Sequence, residues 1–355
     1  MIRRRYLSRM FLGRLLAALL GLAGLLQLLD LLDNASEVLS RGGAADLARY
    51  AGWRLPTLLG QMMPLAVLVA AMLTLRRLAL TSEMTALRSA GVPVRRVLGA
   101  MLPVCLLAVL AQTLLLGLVA PRTERAMSEW WVSTEARSKR PVPAPHRVWL
   151  RVGREIVGID RVSPDGRQLD GVIMVPRAPD GLALARIKAA SATWAPAAGW
   201  VLRDVSVAEP GKPTLTRRPE QPWPEGPPPA DIIDVARPTN AQSPWLLARS
   251  LRGEQAVNRG PAYYQTRLQE TAARLVGPLV MLLLAAPVAF GMPRRGGQVS
   301  QPLLGLTLGL GYLLFGGLLG ALGEAGVMPT ALAVWTAPVV FAAIGGMLLI
   351  RYEER

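Results

Sequence analysis

Six apolar runs decide what this chain can become. They fall at residues 10–32, 55–75, 97–119, 275–292, 302–322 and 328–350. Each is close to the ~20 residues that a helix rising about 1.5 Å per residue needs to cross a hydrocarbon core of roughly 30 Å. The chain of 355 residues is 52% hydrophobic and only 18% charged, a poor composition for one soluble core. A polytopic α-helical membrane protein with six transmembrane helices is expected.

The first run follows Arg3, Arg4, Arg5 and Arg9, as a secretory signal would. It is too long for such a signal's apolar region and has no clear small-residue cleavage site, so a retained helix is expected. Arg14 is close enough to the basic end to snorkel, and Asp30 lies near the far interface.

Residues 121–262 differ in character, with charge, proline and short alternating segments. Residues 147–152, 155–159, 169–175, 182–188 and 200–207 read as strands, divided by turns at Pro164-Asp165-Gly166, Pro179-Asp180-Gly181 and Ala198-Gly199. That spacing suits an all-β sandwich or open barrel inserted between the third and fourth spans. Residues 209–229, with three consecutive prolines at 227–229, read as an irregular connector. The division is therefore 1–120 for the first three spans, 121–262 for the β-domain and 263–355 for the last three spans.

Orientation follows from arginine in the short loops. The N-terminus, residues 76–96, residues 293–301 and the tail from Arg351 hold thirteen Arg; the opposite loops hold three, Arg41, Arg49 and Arg54. Positive charge stays inside, so both termini are expected in the cytosol and the β-domain outside.

The inside loop 81–91 carries its own helix signals. Thr81 or Ser82 can cap the first free N–H groups, Glu83 sits in the positive first turn, and Gly91 with Pro93 ends the helix. Leu80, Met84, Leu87 and Gly91 share one face, which suits docking onto a partner.

Several chemistries are excluded. The chain has one cysteine, Cys105 within a span, and one histidine, His146, so an intramolecular disulfide or a Cys/His metal cluster cannot form. Gly211-Lys212-Pro213 does not approach a phosphate-binding loop, and Asp165, Asp180 and Asp234 read as solvated turn residues. No catalytic, cofactor-binding or metal-binding residue is expected. The net charge of +16 flanks apolar runs, a pattern selected by anionic headgroups rather than by nucleic acid. Gly13, Ala17, Gly21 and Gly24 in the first run, and Gly305, Gly309, Gly316 and Gly320 in the fifth, form small-residue faces. They fit either intrachain packing or a lateral gate against a partner subunit, with Gly21, Gly24, Gly309 and Gly316 at its centre.

The segment from Ser82-Glu83-Met84 to Ala90-Gly91, the Val119-Ala120-Pro121 ending of the third run, the strands from Val148 through Ile159-Asp160-Arg161-Val162 to Trp200-Val201-Leu202, and Gly326-Val327-Met328-Pro329 before Trp335 carry a resemblance. With them the chain resembles the permease family of the lipopolysaccharide-export ABC transporter (LptF/LptG type), more the LptG type than the LptF type. The resemblance implies a bacterial inner-membrane subunit with a periplasmic β-jellyroll-like domain. It implies pairing with a paralogous LptF-type subunit, two copies of a cytosolic ABC ATPase that binds ATP and Mg, and a bitopic LptC-type β-jellyroll protein that receives lipopolysaccharide. The loop helix becomes the coupling helix, with Glu83 at the family's acidic position and Met84, Leu87 and Arg88 beside it. Where many LptG-type members carry a lysine thought to meet substrate phosphates, this chain has Gln27, with Asp30 nearby. Arg54 and Arg274, and beyond them Arg41, Arg49, Arg122 and Arg125, are the basic residues that could meet an anionic headgroup instead.

Two rivals remain. One is a membrane-anchored scaffold or assembly factor whose β-domain binds protein. The other is a secondary transporter, which would want ionisable relays near the membrane midplane, where few charges lie.

Overall fold

The computed structural model describes residues 2–134, 147–163, 165–196, 198–211, 215–236, 244–252, 256–290 and 300–353. His146, Pro164, Lys212, Pro213 and most of loop 293–301 lie outside them, as does the side chain of Asp234. The chain is a polytopic helical protein with an inserted β-domain, and it divides into two compact units.

The first unit comprises residues 1–39, 44–124 and 265–355. Its helices are longer than the apolar runs within them. Helix α1 spans Ile2–Arg41 and α2 spans Ala44–Leu80, 40 and 37 residues, so both project beyond a hydrocarbon core. A short α3 (Glu83–Ser89) leads to α4 (Val94–Leu114), a π-helical turn (Leu115–Val119) and α5 (Ala120–Ser133). The third helix thus continues through Pro121, where a change of domain was expected. Proline is tolerated in the first turn of a helix, and the wider π turn before it relaxes the hydrogen-bond ladder.

After the β-domain come α6 (Pro229–Ala236), α7 (Pro244–Arg252), α8 (Pro261–Ala273) and α9 (Gly277–Leu284), then a 3₁₀ turn (Ala286–Phe290), α10 (Ser300–Glu324) and α11 (Thr330–Glu353). The expected fourth span is a bent pair. α8 and α9 meet at 53°, with Pro278 in the first turn of α9. Among the described residues five helices are long and apolar enough to cross a membrane, and the bent pair, counted as one span, makes six.

α2 is the hub of this unit, with 61% of its most apolar window covered, against 17% for α1 and for α10. Leu68, Leu75 and Leu78 of α2 are fully buried with Phe11 of α1 and Met101 of α4. Lipid tails give helices little hydrophobic reason to associate, so close fit has to hold them. Gly60 of α2 provides such a fit: a Cβ there would lie 2.5 Å from Leu116 Cγ on the π turn.

The second unit comprises residues 40–43 and 125–264. It holds one antiparallel meander, β1 (Val148–Val152), β2 (Glu155–Val162), β3 (Gln168–Pro176), β4 (Arg186–Ala195), β5 (Gly199–Ala208) and β6 (Thr216–Trp223), in that order. β6 occupies part of the stretch expected to be irregular. It is an edge strand, where Pro219 and Pro222 withhold N–H groups at little cost to the sheet. At the opposite edge, β1 exchanges backbone hydrogen bonds with the returning chain, Arg151 N–H to Val257 O at 2.6 Å and Val257 N–H to Arg151 O at 3.1 Å.

The registers share a defect. Pairing lapses along one line across the sheet, Asp160–Gly171–Ala190–Asp204–Pro219. Inward residues on either side of that line are three apart instead of two: Leu169 and Val172, Ala189 and Ala192, Leu202 and Val205. Gly171 and Asp204 take left-handed backbone conformations there, at φ 65° and 53°. Each of these strands therefore carries one extra residue at the same level, which creases the sheet while keeping its apolar face inward. The two halves share one core, including Val157 and Met174 from one side and Leu169, Trp200 and Leu202 from the other. Ile232 and Val235 of α6 join it, and buried Trp200 donates its indole N–H to Pro227 O at 2.7 Å.

Candidate functional site

The sequence-predicted residues fall into three places. The first is α3. Ser82 adopts φ 58° and makes no side-chain cap, so the expected hydroxyl capping of the helix N–H groups is not formed; the Thr81 hydroxyl lies 2.9 Å from Arg77 O and 3.0 Å from Glu83 Oε1. Termination follows the sequence more closely. Gly91, at φ 73°, donates its N–H to Arg88 O and Val92 N–H reaches Leu87 O, the paired bonds of a Schellman motif. Met84 is 3% exposed within the core of the helical unit, and Leu87 and Val92 pack against that core. The apolar face of α3 is thus seated on the chain's own spans, while Glu83 is half-buried and Thr85 and Arg88 are exposed.

The second place joins α1, α2 and α5. Tyr50, Arg54 and Thr57 stand on one face of α2, spaced four and three residues apart. Tyr50 Oη donates to Asp30 Oδ2 at 2.8 Å, and Arg54 reaches Asp30 Oδ1 from Nε at 3.3 Å and Glu124 Oε1 from Nη1 at 3.5 Å. The Thr57 hydroxyl donates to Glu124 at 2.7 Å, and Glu124 is only 7% exposed. Asp30 and Arg54 are therefore brought together, and the positive charge of Arg54 is shared between two carboxylates. Tyr50, Thr57 and Glu124 were missed in the sequence. The Tyr50-x₃-Arg54-x₂-Thr57 spacing carried a signal, whereas Glu124 was read as part of the following domain.

Arg274 belongs to a third place. It lies 3.8 Å from Glu270, which Arg267 also approaches at 3.4 Å, and Arg267 binds Glu324 at 2.8 Å, tying α8 to α10. Gln27, three residues before Asp30 on α1, forms no hydrogen bond to either ion-pair cluster, its amide O and N buried with no partner among the described residues.

The four glycines also separate. A Cβ at Gly21 or Gly24 would meet nothing within 4 Å, on a helix with Leu20, Leu28 and Leu32 exposed. Gly309 faces Leu68 and Met281, and Gly316 faces Ala337 at 3.6 Å, so both are enclosed within the chain's own bundle. On its other side α10 exposes Leu310, Leu314 and Leu318. Among the described residues no group of three or more His, Cys, Asp or Glu is placed to hold a metal ion.

A family model described as "Lipopolysaccharide export system permease LptF/LptG" matches residues 5–351. No curated protein matches the chain.

Proposed function

Because the chain belongs to the LptF/LptG family of lipopolysaccharide export permeases, matched over residues 5–351, we propose that it is the LptG-type transmembrane subunit of an ABC-type exporter in the bacterial inner membrane. The observation that supports the permease part of this reading is the extent of the match, which takes in the helices on both sides of the β-domain and the domain itself, while the LptG type rests on the resemblance of the sequence. The subunit extracts lipopolysaccharide from the outer leaflet and passes it to a periplasmic β-jellyroll bridge. A separate ATPase, binding ATP and Mg, drives it; this chain supplies no catalytic residue. Its partners are a paralogous LptF-type subunit, two ATPase copies and a bitopic LptC-type protein. Both termini face the cytosol and the β-domain the periplasm.

The mechanics follow from the placement of side chains. In this reading the ATPase contacts the polar side of α3, through Glu83, Thr85 and Arg88. Met84 and Leu87, seated against the spans, transmit its movement to the bundle. The sparsely covered faces of α1 and α10 suit a lateral boundary with the paralogue, and open Gly21 and Gly24 allow close approach there. Gln27, whose amide lacks a partner, is suited to a hydrogen bond with a bound lipid, whereas Arg54 and Arg274 would meet a headgroup only by sharing charge already held by carboxylates.

The test is reconstitution of the chain with its paralogue, ATPase and LptC-type partner in proteoliposomes. Glu83→Arg is expected to abolish ATP-dependent lipopolysaccharide release and to weaken ATPase retention. Release at the unsubstituted rate would remove the coupling role of α3, and absence of release from the intact complex would remove the export reading itself.

A further inference from the structure

The crease divides the outward face of the β-sheet into halves of different charge. On the half nearer the β1–β2 turn, one cross-strand row reads Trp149–Gly158–Ile173–Lys188–Ser206–Arg217. Two residues along the strands, on the same face, stand Arg151, Arg186 and Leu215. The cations Arg151, Arg186, Lys188 and Arg217 are all exposed, and none of their side chains has a hydrogen-bond or ion-pair partner among the described residues. No acidic residue shares these positions. Trp149 is 47% exposed and Leu215 62% exposed beside them. Across the crease the same outward face carries Arg161, Asp170, Arg203 and Glu220, two of each sign, and Arg203 pairs with Glu220 at 3.4 Å.

We propose that this basic, apolar half of the sheet docks on a bilayer surface rich in anionic lipid headgroups. Unpaired cations set among apolar side chains match a surface whose phosphates lie over acyl chains. An indole favours that boundary because its ring is apolar and its N–H polar. Each basic residue near an anionic surface strengthens attachment about fivefold. The sheet is also tethered to the bilayer by the chain's own spans, so weak attachment per contact suffices at a high effective concentration. The proposal concerns the outward face of the sheet and does not depend on the export reading.

The full-length chain in nanodiscs tests it. The only cysteine, Cys105, is buried, so a fluorophore can be placed selectively through Ser206→Cys on the basic half or Ser191→Cys on the balanced half. With phosphatidylglycerol in the disc and a quencher on the lipid headgroups, the Ser206→Cys label is expected to be quenched and the Ser191→Cys label not. Quenching should vanish in phosphatidylcholine discs and weaken at high salt, and the ratio of docked to undocked label read from it should fall about fivefold for each of Lys188→Gln and Arg217→Gln. These substitutions remove exposed charge without opening the core, so folding is retained. Equal quenching at both labels, quenching that persists in phosphatidylcholine or in the double variant, or no quenching of either label would overturn the proposal, and the last would point to a protein surface as the occupant.

Discussion

Glu155 at the start of β2 accepts a hydrogen bond from Trp223 Nε1 at the end of β6, 3.0 Å away, although three strands lie between them in the sheet. Both side chains point inward from opposite sides of the crease, so this bond spans the interior rather than running along the ladder. It clasps the two half-sheets over their shared core.

Burial raises the Glu155 pKa above the usual carboxylate range, the Trp223 N–H pulls it back, and nearby Glu225 raises it again. A carboxyl whose folded pKa is raised contributes stability that is complete below the unfolded value and is lost as pH rises through the folded value. Glu155→Gln keeps an acceptor for Trp223 without the charge. It should flatten the pH dependence of β-domain melting and raise the midpoint above the folded pKa, measured by Trp emission from about pH 4 to pH 7. Trp223→Phe leaves the carboxylate unpaired and should cost about 1–3 kcal/mol.

Glu124 is buried and bonded to both Thr57 and Arg54. Glu124→Ala should destabilise the helical unit by about 3 kcal/mol, the lower end for a broken buried pair because Arg54 is partly solvated. Glu124→Gln, which still accepts from Thr57, should cost less. In a thermal-melting cycle with Thr57→Val, the Ala and Val effects should fall short of additive; strict additivity would mean that the two side chains do not interact.

Gly60 leaves no room for a side chain against Leu116. Gly60→Ala should cost about 1–3 kcal/mol by overpacking, read as a lower melting midpoint in detergent. Adding Leu116→Ala should recover part of that loss, and a still lower midpoint would show that the contact is not the cause.

Gly91→Ala puts a Cβ on a residue at φ 73° and should strain the Schellman ending of α3 by about 1 kcal/mol. Local protease sensitivity at residues 81–93 should rise while the melting of the spans stays the same.

Much of this architecture was legible because bilayers and sheets impose simple periods. Apolar run length gave the spans, and Gly91 with Pro93 gave the end of α3. The π turn carries no residue signature, so the continuation of α4 into α5 through Pro121, and with it the role of Glu124, was hidden. β6 was concealed by prolines that only an edge strand accepts. Much of β4 was missed because its Ala189–Ala192 segment lacks the β-branched alternation that marks a strand. The crease was half visible: Gly171 could be suspected of a positive φ, but Asp204 takes one with no sequence warning. At the candidate site the sequence found Asp30 and Arg54 singly, since nothing in a linear chain reports which charges meet.

The crease also limits how the β-domain can change its length. Every strand from β2 to β6 crosses the line Asp160–Gly171–Ala190–Asp204–Pro219, so deleting Ala190 alone would turn half of β4 inside out against neighbours that keep their phase. Single-residue insertions and deletions are therefore barred from the strands unless all change together, and variation in length is confined to the hairpin loops. Aligned relatives should show gaps at those loops and an ungapped column at each of the five crease positions.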